Sequence, residues 1–213
     1  MKDRYDVSHL PEGQCEPGSR GLVLKNLLGI KNRREIEALE TERYIRTLDV
    51  CAHRYHEHHR FTSQDLREMH YEWLGGIYSW AGNYRQVNIS KGNFPFAAAA
   101  HIPNLMGDFE KDCLALWTPC RGGSISRDSN ALAIVHAEFI LIHPFREGNG
   151  RLGRMLADLM ALQAGFVPLD FSDVKGRRRQ HYFSAVQAAM RKNYQPMQQI
   201  FEELIRKTMR KYV

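Results

Sequence analysis

The sequence predicts a mainly α protein, a helical bundle interrupted by one small β-hairpin. Apolar residues recur at helical spacing through most of the chain after residue 30, whereas only residues 85–96 alternate polar and apolar. No further series of strand-like runs and turn signals appears. With 213 residues and 43% hydrophobic content, the chain has material for one substantial core and is short for two. The expected division is an irregular arm over residues 1–30 and a single domain over residues 31–213.

The arm carries Pro11, Gly13, Pro17, Gly18 and Gly21 ahead of an apolar patch at 22–30, a composition that favours turns. Leu66, Met69, Trp73, Leu74 and Ile77 then share one helical face, and Thr62 or Ser63 can cap that helix. Gln86-Val87-Asn88-Ile89-Ser90 alternates, Lys91-Gly92-Asn93 can turn, and Phe94-Pro95-Phe96 returns, which predicts the hairpin. Such a hairpin is marginal unless it packs on something or receives another strand. Ile102, Leu105, Phe109, Cys113 and Leu116 resume helical spacing. Asp128 or Ser129 can cap a helix through Leu132, Val135, Phe139 and Ile142, which Pro144 must disturb. A helix from about Asn149 to about Ala164 follows, stopped by Gly165 and Pro168. The last two helices are expected at roughly 177–192 and 196–211. The final one has Pro196 in its first turn, an apolar stripe of Ile200, Phe201, Leu204, Ile205 and Met209, early acids and late bases.

Thirty Lys and Arg against 24 Asp and Glu give a net charge of +6, a balance that suits a phosphorylated ligand or a nucleic acid. The acids and bases are interleaved, and the basic clusters at 31–34, 175–179 and 206–211 read as solvated surface. Without interleaved aromatics or a binding module, direct nucleic-acid binding is not expected. Cys15, Cys51, Cys113 and Cys120 have no CxxC spacing and read as reduced thiols of a cytoplasmic protein. There is no signal-peptide pattern and nothing near the ~18 consecutive apolar residues of a membrane span, so no membrane partner is expected. His53, His56, His58 and His59 lack paired cysteines or carboxylates and read as an exposed cluster.

Residues 143–154 concentrate the chemistry: His143-Pro144-Phe145-Arg146-Glu147-Gly148-Asn149-Gly150-Arg151-Leu152-Gly153-Arg154. A helix starting at Asn149 exposes unpaired N–H groups and the positive end of its dipole to an anion. Gly148 and Gly150 allow close main-chain approach, and Asn149 adds an amide donor. Arg151 and Arg154 lie one turn apart and can reach consecutive phosphates. Glu147 is a hard oxygen ligand suited to Mg²⁺ shared with substrate phosphates. His143 can accept a proton at neutral pH. The same residues spell Gly148-x-Gly150-x-x-Gly153 with Asp170 further on, but a dinucleotide fingerprint needs a strand entering the glycine turn. Here the preceding segment is helical.

Over these twelve residues the chain resembles the Fic (Fic/Doc) family pattern His-x-Phe-x-(Asp/Glu)-Gly-Asn-Gly-Arg-x-x-Arg at every defined position. The hairpin lies where that family places its target-docking flap. Gly21-Leu22-Val23-Leu24-Lys25-Asn26-Leu27-Leu28-Gly29-Ile30 also resembles the opening of bacterial cell filamentation proteins, a subgroup. The resemblance implies a Fic-type helical bundle with a β-hairpin flap, and transfer of AMP from ATP to a Tyr, Thr or Ser hydroxyl of a target protein. It implies His143 as general base and Glu147 as Mg²⁺ ligand. Asn149 would contact the α-phosphate, Gly148 and Gly150 would form the cradle, and Arg151 and Arg154 would neutralise the β- and γ-phosphates. Phe145 would anchor the core and Tyr182 would line the nucleobase pocket. The flap residues Val87, Asn88, Ile89 and Ser90 would pair with an extended target segment, whose register main-chain hydrogen bonds would set.

Alternatives are Doc-like phosphate transfer, transfer of another phosphate-containing group such as phosphocholine, and a non-catalytic interaction module on the same fold. Retention of Gly150 argues against the first, and intact His143, Glu147 and Arg154 against the last. Family members often silence themselves with a glutamate paired to the second motif arginine, here Arg154. Ser8-His9-Leu10-Pro11-Glu12-Gly13 matches the inhibitory pattern literally, but Pro11 argues against a helix there. A separate small antitoxin supplying that glutamate is the remaining expectation.

Overall fold

The computed structural model describes residues 10–212. Its first helix, α1 (Arg33–Arg54), is capped by Asn32, whose side chain accepts from the Arg34 and Glu35 N–H groups. A buried face of Ile36, Glu40, Thr47 and Cys51 turns α1 onto α2 (Ser63–Leu74). Thr62 caps α2 in a reciprocal box with Asp65. Leu66, Met69, Trp73 and Leu74 all face inward, and Ile77, just past the helix end, is buried with them.

The flap is a shorter ladder than its alternation predicts. Strand β1 (Ser90–Lys91) pairs antiparallel with β2 (Phe94–Pro95), Ser90 opposite Pro95 and Lys91 opposite Phe94. Gly92 closes the turn at φ +56°, and Phe96 N–H adds a bond to the Ile89 carbonyl. Val87 lies below the ladder and is buried.

Helix α3 (Ile102–Phe109) continues into a π-helical turn, Glu110–Leu114, and a final helical turn, Ala115–Trp117. This corrects the expectation for Leu116, which is 72% exposed while Leu114 is fully buried. A wide turn inserts a residue and rotates everything after it by about 100°. The inward stripe therefore passes from Cys113 to Leu114.

Helix α4 (Ile125–Ile142) is the central element, packed against α3, α5 (Asn149–Gln163), α6 (Gly176–Ala189) and α7 (Gln195–Tyr212). Its cap is Ser124, not Asp128 or Ser129. Ser124 has the extended backbone a cap requires and accepts from Arg127 N–H, whereas Asp128 is already helical and bonds its own N–H to the Ser124 carbonyl. Leu132, Val135, Phe139 and Ile142 lie in the main core with Phe145, Leu152, Leu156 and Phe201.

A smaller core of Val23, Ile36, Trp73, Leu74, Ile77, Tyr78, Trp80 and Ala81 seats the arm and α1 on the end of α2. The arm has a 3₁₀ turn at Pro11–Gly13, an isolated bridge between Cys15 and Leu24, and a bond from Leu27 N–H to the Ile77 carbonyl. Ser8 and His9 of the inhibitory-type match lie outside the described residues. Glu12 is buried, and its carboxylate accepts from Gln86 N–H at 2.6 Å. Among the described residues no helix is long and apolar enough to cross a membrane.

Candidate active site

The α4–α5 loop owes its shape to residues that tolerate sharp turns and to buried groups that hold them. His143 closes α4 in the left-handed region, φ 53° and ψ 59°, and Pro144 prevents the helix from continuing. Arg85, fully buried at the base of the flap, holds this strained corner. Its Nε donates to the His143 carbonyl at 2.8 Å, Nη1 to Val87 at 2.7 Å, and Nη2 to Ala97 at 2.6 Å and Ile142 at 3.4 Å. Its N–H bonds the Pro144 carbonyl. Burial pushes the guanidinium pKa down to about 10, against the pull of Glu12.

The His143 ring stacks on Phe96, with centroids 3.7 Å apart. Its Nδ1 lies 3.1 Å from the Ile140 carbonyl, which assigns the proton to Nδ1 and leaves the Nε2 lone pair free. Burial lowers its pKa to about 4; the Ile140 bond opposes this, and Arg85 and Lys91 add to it.

A second buried histidine holds the far side of the loop. His70 Nδ1 accepts from Gly82 N–H at 2.9 Å, so its Nε2–H donates to the Glu147 carbonyl at 3.1 Å. Its ring stacks on Phe145, centroids 4.0 Å apart and 8° from parallel. Asn149 clamps the same turn, accepting from Phe145 N–H at 2.9 Å and donating to the Phe145 carbonyl at 2.7 Å. The amide is thereby bonded into the loop at both ends, and one N–H hydrogen is left over.

Gly148 caps α5 at φ 85° without a side-chain bond, so the first-turn N–H groups open onto a cavity of about 620 Å³. A Cβ on Gly148 would stand 2.7 Å from Trp73, whereas one on Gly150 would meet nothing within 4 Å. His143, Glu147, Gly150 and Arg154 line the cavity together. Glu147 is half-exposed there, accepting from Gly148 N–H at 3.0 Å.

The two motif arginines differ. Arg151 lies over Trp73 at 4.5 Å and pairs at 2.7 Å with the buried Glu40 of α1, which also accepts from Tyr78 Oη. Its charge is partly compensated by Glu40, while the side chain still lines the cavity. Arg154 lies over Phe171 at 5.9 Å and has no carboxylate within ion-pair distance among the described residues. Glu12 does not reach it.

Tyr182 borders the cavity from α6 and bonds His136 Nε2 through its hydroxyl at 2.7 Å. His136 Nδ1 in turn donates to the Gly153 carbonyl at 3.0 Å, so the ring bridges α5 and α6. Of the flap residues, Val87 is buried with its carbonyl on Arg85, Asn88 accepts from Ala99 N–H at 2.8 Å, Ile89 is half-buried and Ser90 is exposed.

Sequence reasoning missed Glu40, His70, Arg85, Lys91, Lys175 and Arg179; the last three line the cavity. A signal existed for His70, which shares the inward face of α2 with Leu66, Met69 and Trp73. Lys175 and Arg179 were hidden inside an apparently solvated basic run. Among the described residues no three His, Cys, Asp or Glu side chains could hold a metal by themselves. Glu147 can hold one only jointly with an anionic ligand, a donor set that fits Mg²⁺ on phosphate oxygens.

The Fic/DOC family model matches residues 60–161. The protein adenylyltransferase VbhT of Bartonella schoenbuchensis is 32% identical over 164 residues, 76% of this chain and 33% of VbhT. The chain thus spans about a third of that relative's length. The crystal structure of the N-terminal Fic domain of a VirB-translocated Bep effector from Bartonella quintana is similar with a TM-score of 0.72 at 25% identity, covering 92% of this chain and 93% of that one. BepC of Bartonella tribocorum, solved with bound AMPPNP, aligns with a TM-score of 0.71 at 24% identity over 92% of this chain and 97% of its own.

Proposed function

We propose that this chain, which carries a Fic/DOC-family domain, is a protein adenylyltransferase that moves AMP from ATP to a Tyr, Thr or Ser hydroxyl of a target protein. One observation carries the reading: the His143 ring and the open first turn of α5 line a single cavity. The names of VbhT and of other adenylyltransferase relatives support it.

In this mechanism the target hydroxyl oxygen attacks the α-phosphorus of ATP. The new P–O bond forms as the bond from the α-phosphorus to the α,β-bridging oxygen breaks. Diphosphate leaves with the electron pair, and the hydroxyl proton passes to His143 Nε2. The N–H groups of Asn149 and Gly150 cradle phosphate oxygens, Gly148 supplies the close turn that aims them, and Arg154 neutralises the terminal phosphate. Arg151, tied to Glu40, supports the cradle and supplies a weaker field. Glu147 would hold Mg²⁺ together with the phosphates; the ion would screen their charge. Tyr182 borders the nucleobase space. A target segment lies along the flap at Val87, Asn88, Ile89 and Ser90, its bonds falling beyond Val87 because that carbonyl already serves Arg85.

Helix α6, beyond residue 161, supplies Tyr182 and Arg179 to the cavity, which supports reading residues 31–213 as one domain. The absence of any carboxylate on Arg154 among the described residues supports inhibition by a glutamate from a separate small antitoxin. Use of ATP and free thiols at Cys15, Cys51, Cys113 and Cys120 suit work in the cytoplasm.

Incubation with ATP labelled at the α-phosphate, Mg²⁺ and bacterial lysate tests the reading. The expected result is label on protein with the native chain, and none with His143→Ala while AMPPNP binding persists. Transfer of label from the γ-phosphate would instead establish the Doc-like reaction, and labelling by His143→Ala at the native rate would remove the general-base role.

A further inference from the structure

Lys91, the second residue of β1, sends its ammonium from the flap across the cavity to within 4.2 Å of the Phe183 ring centroid on α6. It borders the same space as His143, Glu147, Arg154 and Arg179. Among the described residues, none of Lys91, Arg154 and Arg179 has a carboxylate within ion-pair distance. Arg179 also approaches Phe183, at 5.6 Å, so two cations share one ring. Arg151 is the contrast, because Glu40 already compensates it.

Three like charges that share their space with a single half-exposed acid, Glu147, are unfavourable, more so where water is partly excluded. The Lys91 ammonium accordingly has a lowered pKa, through burial first and then Arg179, with Glu147 opposing and Arg154 adding. A polyanion in the cavity would relieve all three cations at once. Lys91 differs from the other two in its address: it comes from the flap, whose Phe96 stacks on the His143 ring, and it lines the same cavity as that imidazole.

We propose that Lys91 is a catalytic residue, a flap-borne ammonium that contacts the α-phosphoryl group and stabilises the charge growing on its non-bridging oxygens as the target hydroxyl attacks. This deepens the nucleotidyl-transfer reading and rests on it. Lys91 keeps its proton throughout; the hydroxyl proton still goes to His143 and the electron pair still leaves with diphosphate. The flap then contributes to the chemical step as well as to docking, and only a correctly seated flap completes the site.

The competing role is a mechanical clasp in which Lys91 merely ties the flap to Phe183. Three variants separate the two: Lys91→Met keeps most of the length of the side chain and removes its charge, Lys91→Arg keeps a charge, and Phe183→Leu removes the ring and leaves the ammonium. Each is assayed for label transfer from α-labelled ATP to lysate protein at saturating nucleotide, and for AMPPNP affinity by calorimetry. Loss of one charge-stabilising donor predicts a saturating rate about 10²-fold lower for Lys91→Met, with AMPPNP affinity changed less than about threefold. Lys91→Arg should recover part of the rate, and Phe183→Leu should lose less than about tenfold. A Lys91→Met rate within about threefold of the native chain, or equal losses in Lys91→Met and Phe183→Leu, overturns the proposal. Failure of the native chain itself to transfer α-label overturns the underlying reading instead.

Discussion

Arg85 Nε donates to the main-chain carbonyl of His143 at 2.8 Å. The other guanidinium nitrogens bond Val87 and Ala97, on either side of the flap. One buried side chain therefore sets both the base of the flap and the left-handed corner that carries the imidazole. No carboxylate shares this work among the described residues; main-chain carbonyls do it all.

Replacing Arg85 should consequently act on rate as well as stability. Arg85→Met orphans several carbonyls, and each lost bond to a charged donor is worth roughly 1.5–3 kcal/mol, so a loss of about 3 kcal/mol or more is expected by denaturant unfolding. Displacement of His143 by about 1 Å should lower the transfer rate on the order of 10²-fold at saturating ATP. Partial recovery of the Arg85→Ala rate by added guanidinium ion would tie that loss to positioning. No rate loss in a folded variant would contradict it.

The two motif arginines should separate in a paired experiment. Arg151→Met leaves Glu40 buried and unpaired, which is expected to cost roughly 3 kcal/mol of stability. Arg154→Met should change stability by less than about 1 kcal/mol yet weaken AMPPNP binding about tenfold or more. Thermal unfolding and calorimetry on both proteins measure the contrast, and identical behaviour would contradict the different partners found for them.

The two loop glycines should likewise divide. Gly148→Ala places a Cβ at φ 85° and 2.7 Å from Trp73, so a poorly folded or clearly destabilised protein is expected. Gly150→Ala meets nothing within 4 Å and sits in the first turn of α5, where it should be neutral or stabilising by up to about 1 kcal/mol. Its methyl group would crowd the cradle, so AMPPNP titration should show weakened binding in a normally stable protein.

Stability should fall on acidification below neutrality. Burial lowers the pKa of His70, His136 and His143 to about 4 each. The unfolded chain takes up those protons near ~6.5, so their contribution is complete above that pH and is lost progressively as pH falls towards 4. Asp158 runs the other way: burial raises its pKa to about 7, and the stability that its neutral form brings is lost as pH rises towards 7. Three groups oppose one, and urea unfolding should show a net loss on the order of 3 kcal/mol between pH 7 and pH 5. A flat profile would mean that the histidines are not buried in neutral form.

Much of the frame was legible in the sequence because a buried helix face leaves a periodic record. Leu66, Met69 and Trp73 on α2, and Leu132, Val135 and Phe139 on α4, took the inward positions their spacing requires. The record misled at Leu116, where the π-helical turn shifts the register, and at Asp128, where cap chemistry alone does not distinguish a cap from a buried polar residue one turn later. The loop from His143 to Arg154 was legible as chemistry, since residue types at short spacing carry it. The use made of Asn149 and Arg151 was not.

The sequence by itself determined the helical faces, the flap and the local set of base, acid, glycines and arginines, because spacing within one element or one turn follows from backbone geometry alone. Tertiary structure decided that Glu40, 111 residues before Arg151, takes up its charge. It also decided that Arg85 grips His143 and that Lys91 and Arg179 meet over Phe183. Periodicity states which side of a helix is covered but not what covers it, and these partners come together only when separate elements pack on a common core.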